Sequence, residues 1–261
     1  MKLVEPKVFL IGETRIVEED LLAYLKHIGV PDWISDAPTD SEKLIEVLGR
    51  ACYRSFKPGL NKNVTKIREH NDEYLANILK VKHGSVIEHA FINFIFADVS
   101  RVFTHELVRH RPGVAISQES LRCVRLDNLC LWLPTVILED EKAIKVFKNH
   151  FRKAEKLQLE LAKHFKLDDP VVPFHKKKII TSAMRRIAPD GLATTIGWSA
   201  NIRTIRHVVE MRTDPGAEEE IRLVFGKVGL MMQKKYQNLF GDYEIEMVDG
   251  HPWFKTKNRK V

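Results

Sequence analysis

The chain has 261 residues, 44% of them hydrophobic and 30% charged, with 13 Gly and 11 Pro. That composition excludes collagen-like, low-complexity and disordered chains and suffices for one sizeable core. The formal net charge of +7 is expected to be mostly a solvated lysine-rich surface, and it leaves open an attraction to nucleotides, folates or nucleic acid. No apolar run reaches the length of a membrane span, and Met1-Lys2-Leu3-Val4-Glu5-Pro6 lacks the apolar stretch of a signal peptide. Cys52, Cys123 and Cys130 form neither a disulfide framework nor a zinc-site spacing. The expectation is a cytoplasmic protein without a metal or a membrane partner.

In chain order, residues 7–14 (KVFLIGET) read as a short buried strand. Thr39-Asp40-Ser41-Glu42 has capping-box spacing and opens a helix whose apolar face includes Leu44, Ile45, Leu48 and Cys52. Pro58-Gly59 marks a loop and residues 70–81 a short helix. The aromatic and β-branched run Phe91–Phe96 reads as a mostly buried strand. Residues 100–110 read as a helix with Val102, Phe103 and Leu107 inward, ending near Pro112-Gly113. An amphipathic helix over 140–166 has Ile144, Phe147, Phe151 and Ala154 at helical spacing.

Residues 199–212 read as a further helix. Asp214-Pro215 then reads as the start of a long one carrying Ile221, Val224, Phe225, Val228 and Met232. From about Glu244 to Val261 the chain reads as a basic tail, extended or frayed. Strands and helices do not alternate. The expected class is therefore α+β, one domain over 1–261 with a mainly antiparallel central sheet flanked by long helices.

No Walker loop, G-x-G-x-x-G, G-x-S-x-G or H-E-x-x-H motif occurs. The chemically dense stretch is Glu106 to Arg122. It combines Glu106, Arg109, His110, Arg111, Ser117, Gln118, Glu119, Ser120 and Arg122 around a Pro-Gly turn. Guanidinium forks match phosphate oxygens, and hydroxyls with loop amides can complete a phosphate cradle. Taken alone, Arg109 and Arg111 fit an exposed basic loop equally well.

Arg109-His110-Arg111, followed by Ser117-Gln118-x-Ser120-x-Arg122, resembles the signature of the flavin-dependent thymidylate synthases. Upstream, His83-x-Ser85-x-x-Glu88-His89 and Ala51-Cys52-Tyr53-x-Ser55 are similar to family segments. Downstream, Arg185 and then Asn201-x-Arg203-x-x-x-His207-x-x-x-x-Arg212 follow in the same order. The likeness runs from about the first strand to about residue 230. The spacer between Arg111 and Ser120 is one residue longer than the usual family form. Glu119 stands where an apolar residue is frequent, and Cys123 where an aromatic is common.

The resemblance implies reductive methylation of dUMP to dTMP with FAD, NADPH and methylene-tetrahydrofolate, in a homotetramer with shared active sites. It places Ser85, Glu88, Arg109, His110, Arg111, Asn201, Arg203 and His207 on the flavin side. Glu106, Gln118, Ser120, Arg122, Arg185 and Arg212 fall on the nucleotide side, with Arg212 at the uracil edge as the candidate catalytic cation. His83 borders the folate side. Capping or packing explains Asn201 and His207 as simply, a salt bridge explains Glu106, and a loop histidine explains His83. Ser120 has no spaced base beside it and is read as a binding residue, not a nucleophile. The alternatives are a flavin-dependent pyrimidine-nucleotide hydroxymethylase, which the long spacer and Glu119 motivate, and a basic nucleic-acid-binding module, which Lys176-Lys177-Lys178 motivate. The second ranks low, because no aromatic-interleaved basic platform is present, and no nucleic-acid partner is expected.

Overall fold

The computed structural model describes residues 1–259 and Val261. Strand β1 (Lys2–Leu3) pairs in parallel with the later β5 (Cys130–Leu131). Then follow β2 (Lys7–Glu13), α1 (Glu18–His27), α2 (Asp40–Tyr53), α3 (Asn71–Lys80) and a 3-10 turn at Val86–Glu88. Next come β3 (Phe91–Ser100), α4 (Arg101–Leu107) and β4 (Val114–Gln118). After β5 lie α5 (Thr135–Leu138), α6 (Glu141–His164) and α7 (Phe174–Met184). The chain closes with β6 (Ala193–Asn201), α8 (Ile202–Arg212), α9 (Glu219–Lys235), α10 (Gln237–Phe240), β7 (Glu244–Val248) and β8 (His251–Lys255).

The central sheet is antiparallel in the order β2-β3-β6-β4, with Phe94 opposite Trp198 and Trp198 opposite Ile116. Period-2 alternation sends Ile92, Phe94, Phe96, Ile196, Trp198 and Ala200 to one face, where all are buried. Helices α4, α8 and α9 cover that face. The Phe225 ring meets Trp198 edge-on at 5.6 Å and Phe96 at 6.0 Å, and Phe103 meets Phe96 edge-on at 5.6 Å. Such edge-to-face pairs add to the burial that holds the helices on the sheet. The opposite face leaves Phe9 and Phe91 48% and 41% exposed. The α+β class with a mainly antiparallel sheet is therefore the observed one.

Several local expectations change. Residues 199–201 finish β6, and the helix begins only at Ile202, because Asn201 caps it by accepting the Thr204 N–H at 2.8 Å. Long helix α9 begins at Glu219 behind a Glu218 cap, whereas the Asp214 carboxylate folds into its own turn on the Gly216 N–H at 2.8 Å. Val102 is 39% exposed and Phe147 38% exposed rather than inward, and Cys52 is exposed.

The inner side of α2 instead buries Glu42, Glu46 and Arg50. Arg50 tolerates this because Glu46 and the Ser55 and Arg68 carbonyls take its donors, and the Tyr74 ring lies 4.5 Å from its guanidinium carbon. The capping box at Thr39 forms as expected: its hydroxyl accepts the Glu42 N–H at 3.3 Å and donates to the Glu42 carboxylate at 2.7 Å.

The C-terminal segment is not frayed. Strands β7 and β8 form a hairpin through Asp249-Gly250, both with positive φ (51° and 77°), as a two-residue turn requires. Phe254 and Val261 are buried, and Arg206 Nε donates to the Val261 carbonyl at 2.9 Å. Buried Arg206 also forks onto Asp242 at 2.7 and 2.8 Å, which anchors the segment under α8.

Candidate functional site

Two chain reversals build the site. At the end of α4 the chain runs through Arg109, His110 and Arg111 into Pro112-Gly113 and back along β4. At the end of β6 it turns at Asn201 into α8. The two turns are joined: Asn201 N–H donates to the Gly113 carbonyl at 3.0 Å, and the Thr204 hydroxyl donates to the Pro112 carbonyl at 2.8 Å. Gly113 has φ +66°, and an added Cβ would lie 2.2 Å from Asn201 Nδ2, so only glycine fits there.

Between the turns opens a cavity of about 740 Å³ lined by Glu88, Arg109, His110, Asn201, Arg203, His207 and Arg212. The volume is that of a cofactor site. Arg203 pairs with Glu88 at 2.6 Å in the lining. It lies against Gly84, where a Cβ would meet the guanidinium at 2.6 Å. Arg212, also in the lining, donates from Nη1 to Glu106 at 2.7 Å and from Nε to His110 Nε2 at 2.8 Å.

That second bond fixes the chemistry of His110. Its Nε2 is the acceptor, so the neutral ring carries its proton on Nδ1. Burial, reinforced by the charges of Arg212, His207 and Arg109, pushes the His110 pKa down to about 4. The His207 ring meets it edge-on at 6.4 Å. The half-buried Arg212 guanidinium, with side-chain exposure 17%, is thus a cation held in one orientation by a carboxylate and a neutral imidazole.

The other expected site residues lie elsewhere in the chain. Ser85 and Arg111 are exposed and line neither this cavity nor its neighbour. His83 stacks on Tyr53, with ring centroids 6.1 Å apart. Gln118 donates to the Thr104 hydroxyl at 3.2 Å, and Ser120 accepts the Arg122 N–H at 3.3 Å. Arg122 and Arg185 are exposed and outside the cavity. Glu119 pairs with the Thr195 backbone, donating its own N–H at 2.9 Å and accepting at its carboxylate at 3.2 Å, so it extends the sheet edge.

Sequence reasoning missed Thr204 and Met211 in the cavity wall, and the contribution of the C-terminal hairpin. Trp253, Lys255 and Arg259 border a second cavity beside the first. The signal was present in the Asp249-Gly250 pair between short alternating runs.

Residues 34–236 match the model of the family described as thymidylate synthase complementing protein. The chain belongs to this family. The flavin-dependent thymidylate synthase of Corynebacterium glutamicum is 34% identical over 222 residues, covering 84% of this chain and 86% of that protein. The flavin-dependent thymidylate synthase of Mycobacteroides abscessus is 31% identical over 235 residues, 88% of this chain and 91% of its own length.

Solved structures share the fold at low identity. The UMP/dUMP methylase PolB of Streptomyces cacaoi, bound with 5-Br dUMP, superposes with TM-score 0.64 at 12% identity, covering 92% of this chain and 96% of that one. ThyX of Helicobacter pylori, complexed with FAD and dUMP, gives 0.59 at 17% identity over 90% and 98%. As a flavin-dependent thymidylate synthase by family, the chain is an enzyme with an α+β fold, in which Arg109 and His110 border the cavity and Arg111 does not.

Proposed function

We propose that the chain converts dUMP to dTMP by reductive methylation, with FAD as bound cofactor, methylene-tetrahydrofolate as carbon donor and NADPH as reductant. The observation that carries this is the Glu106–Arg212–His110 cluster, whose Arg212 and His110 border a cofactor-sized cavity. A fixed, half-buried guanidinium there suits the charge that develops on a pyrimidine ring during activation.

The cavity fits a flavin dinucleotide in size and in donors. Arg109 and Arg203 offer cations for its phosphates, and the capped N-terminus of α8 points positive charge at the same space. His207, Glu88 and the Gly113 turn complete the wall, with Ser85 and Arg111 at its approaches. When bound, the flavin supplies the reducing equivalents drawn from NADPH.

The protein's share is positioning. Arg212 holds the uracil edge, and Glu106 keeps Arg212 aligned. His110, neutral at physiological pH, accepts from Arg212 without competing for anions. Gln118, Ser120, Arg122 and Arg185 hold the nucleotide, its monophosphate at Ser120 and Arg122. Because they lie outside the cavity of their own chain, a second copy completes each site, in a homotetramer. The exposed Phe9 and Phe91 on the open sheet face supply apolar area for such contacts. Glu119 is used by the sheet edge, so it lends no support to a hydroxymethylating activity.

The test is direct. The purified protein should be yellow or load with FAD, should show dUMP-dependent NADPH oxidation, and with the folate present should give a product in which one methyl group replaces a ring hydrogen. A protein that takes up no flavin, or a product carrying a hydroxymethyl group, overturns this reading.

A further inference from the structure

A second cavity of about 690 Å³ adjoins the first and shares His207, Met211 and Arg212 with it. One wall is β8 of the C-terminal hairpin, through Trp253, Phe254 and Lys255, which lies beyond the 34–236 stretch matched by the family model. The wall is fixed: Phe254 packs on Gly229, where a Cβ would lie 2.6 Å from its ring, and its N–H donates to the Thr213 hydroxyl at 3.0 Å.

Apolar and cationic side chains border this space side by side, together with the carboxylates of Glu210 and Asp214. Met211 is 44% exposed, and half-buried Trp253 stands on the hairpin. Lys255 Nζ lies 4.8 Å from the Trp253 ring centroid and 2.5 Å from Glu246. Arg259 has 75% side-chain exposure and pairs with Glu210. The Lys255–Glu246 pair is exposed on both sides and therefore weak, and the Arg259 guanidinium is itself exposed although Glu210 is not, so both cations are open to the anionic groups of a ligand.

We propose that this cavity binds the aromatic, anionic end of a co-substrate whose reacting end lies at the shared wall of His207 and Arg212. An aromatic ring packs against Trp253, and its anionic groups reach Lys255 and Arg259. The inference rests on the proposed function, which has two co-substrates of this chemistry: the aminobenzoyl-glutamate of the folate and the phosphorylated adenosine of NADPH.

The experiment uses the full chain loaded with FAD. Tetrahydrofolate, tetrahydropteroate (which lacks the glutamate), NADPH and NADH are each titrated against wild type, Arg259→Ala, the double variant Lys255→Glu/Arg259→Glu, and Trp253→Phe. Flavin content and dUMP affinity are measured in parallel.

One co-substrate is expected to bind the double variant about tenfold more weakly, as loss of a charge-assisted contact implies. Arg259→Ala and Trp253→Phe should each weaken it several-fold, while flavin and dUMP bind unchanged. If the folate is the occupant, tetrahydropteroate loses the charge effect; if the dinucleotide is, NADH does. Unchanged affinity for both co-substrates, with flavin and dUMP still bound, overturns the proposal. If the double variant does not fold, the Arg259→Ala and Trp253→Phe titrations decide by the same criterion. A wild-type protein that binds neither flavin nor dUMP overturns the parent reading and this one with it.

Discussion

Glu220 tests how the site is anchored to the core. Its carboxylate is fully buried, accepts the Ser100 N–H at 2.6 Å and takes a second bond from the Ser100 hydroxyl. That hydroxyl in turn accepts the Phe103 N–H at 3.1 Å and so caps α4, the helix that carries Glu106. Burial, the dominant cause, raises the Glu220 pKa from 4.5 to about 7, against the two bonds from Ser100 and with help from the charge of Glu218. A group with a raised folded pKa holds more protons folded than unfolded, so its contribution to stability is full below the unfolded value and is lost as pH rises through the folded one. At ~1.4 kcal/mol per pKa unit, the ceiling on that loss is about 3 kcal/mol by pH 8. Glu220→Gln keeps the shape and the acceptor for Ser100 N–H but does not titrate. In urea melts from pH 5 to pH 8, the difference in unfolding free energy should move toward the variant by about 2–3 kcal/mol. Taking the difference removes His110, whose depressed pKa acts in the opposite sense, adding stability as pH rises from about 4 toward 6.5. A difference that stays flat across this range refutes the account of Glu220.

Three further outcomes follow from the site. Arg212→Ala should retain flavin but lose turnover by about a hundredfold or more, as removal of a fixed transition-state donor does, while Glu106→Gln should lose less because a neutral acceptor remains; steady-state rates check both. In nitrogen-15 spectra of the histidines, His110 should remain the neutral Nδ1–H tautomer down to pH 5, and a midpoint near 6.5 would contradict its burial beside Arg212. Gly113→Ala should lower stability by more than about 1 kcal/mol and weaken flavin binding, because the Cβ strikes Asn201; Gly250→Ala, at φ +77° with nothing within 4 Å, serves as the control for the backbone cost alone.

The long apolar patterns were legible. Phe91–Phe96 gave the central strand, and Val224, Phe225 and Val228 gave the inner stripe of α9, because one buried face leaves a clear period. Strand β6 was harder. Its inward residues Thr194, Ile196, Trp198 and Ala200 alternate, but Ser199 resembles a helix start, and it takes the paired neighbours β3 and β4 to show that the real cap is Asn201. The buried Glu42, Glu46 and Arg50 look like an exposed helix face until Tyr74, Asn71 and the loop carbonyls arrive to satisfy them. In the site, Glu88, Arg109, His110, Asn201, Arg203, His207 and Arg212 stand out in the sequence and do converge. Spacing alone could not separate them from Ser120, Arg122 and Arg185, since that division depends on where two distant turns meet.

The same division sorts the cations by task. Arg203 and Arg212 are paired with Glu88 and Glu106, and Arg206 with Asp242. Among the described residues, Arg109, Arg111, Arg122 and Arg185 have no carboxylate within 4 Å. Pairing fixes a guanidinium in direction at the cost of its long-range field, whereas an exposed unpaired one keeps its field and its freedom. Arg212, of the first kind, suits alignment of a bound ring, and the second kind suits capture of a phosphate from solution. Salt screens charges in water over about 10 Å at 0.1 M and affects partly buried pairs much less. Raising ionic strength should therefore raise the KM for the nucleotide several-fold while leaving kcat nearly constant. A parallel fall in kcat would mean that the Glu106–Arg212 pair is also solvent-screened, and that the alignment of Arg212 is not set by its buried neighbours.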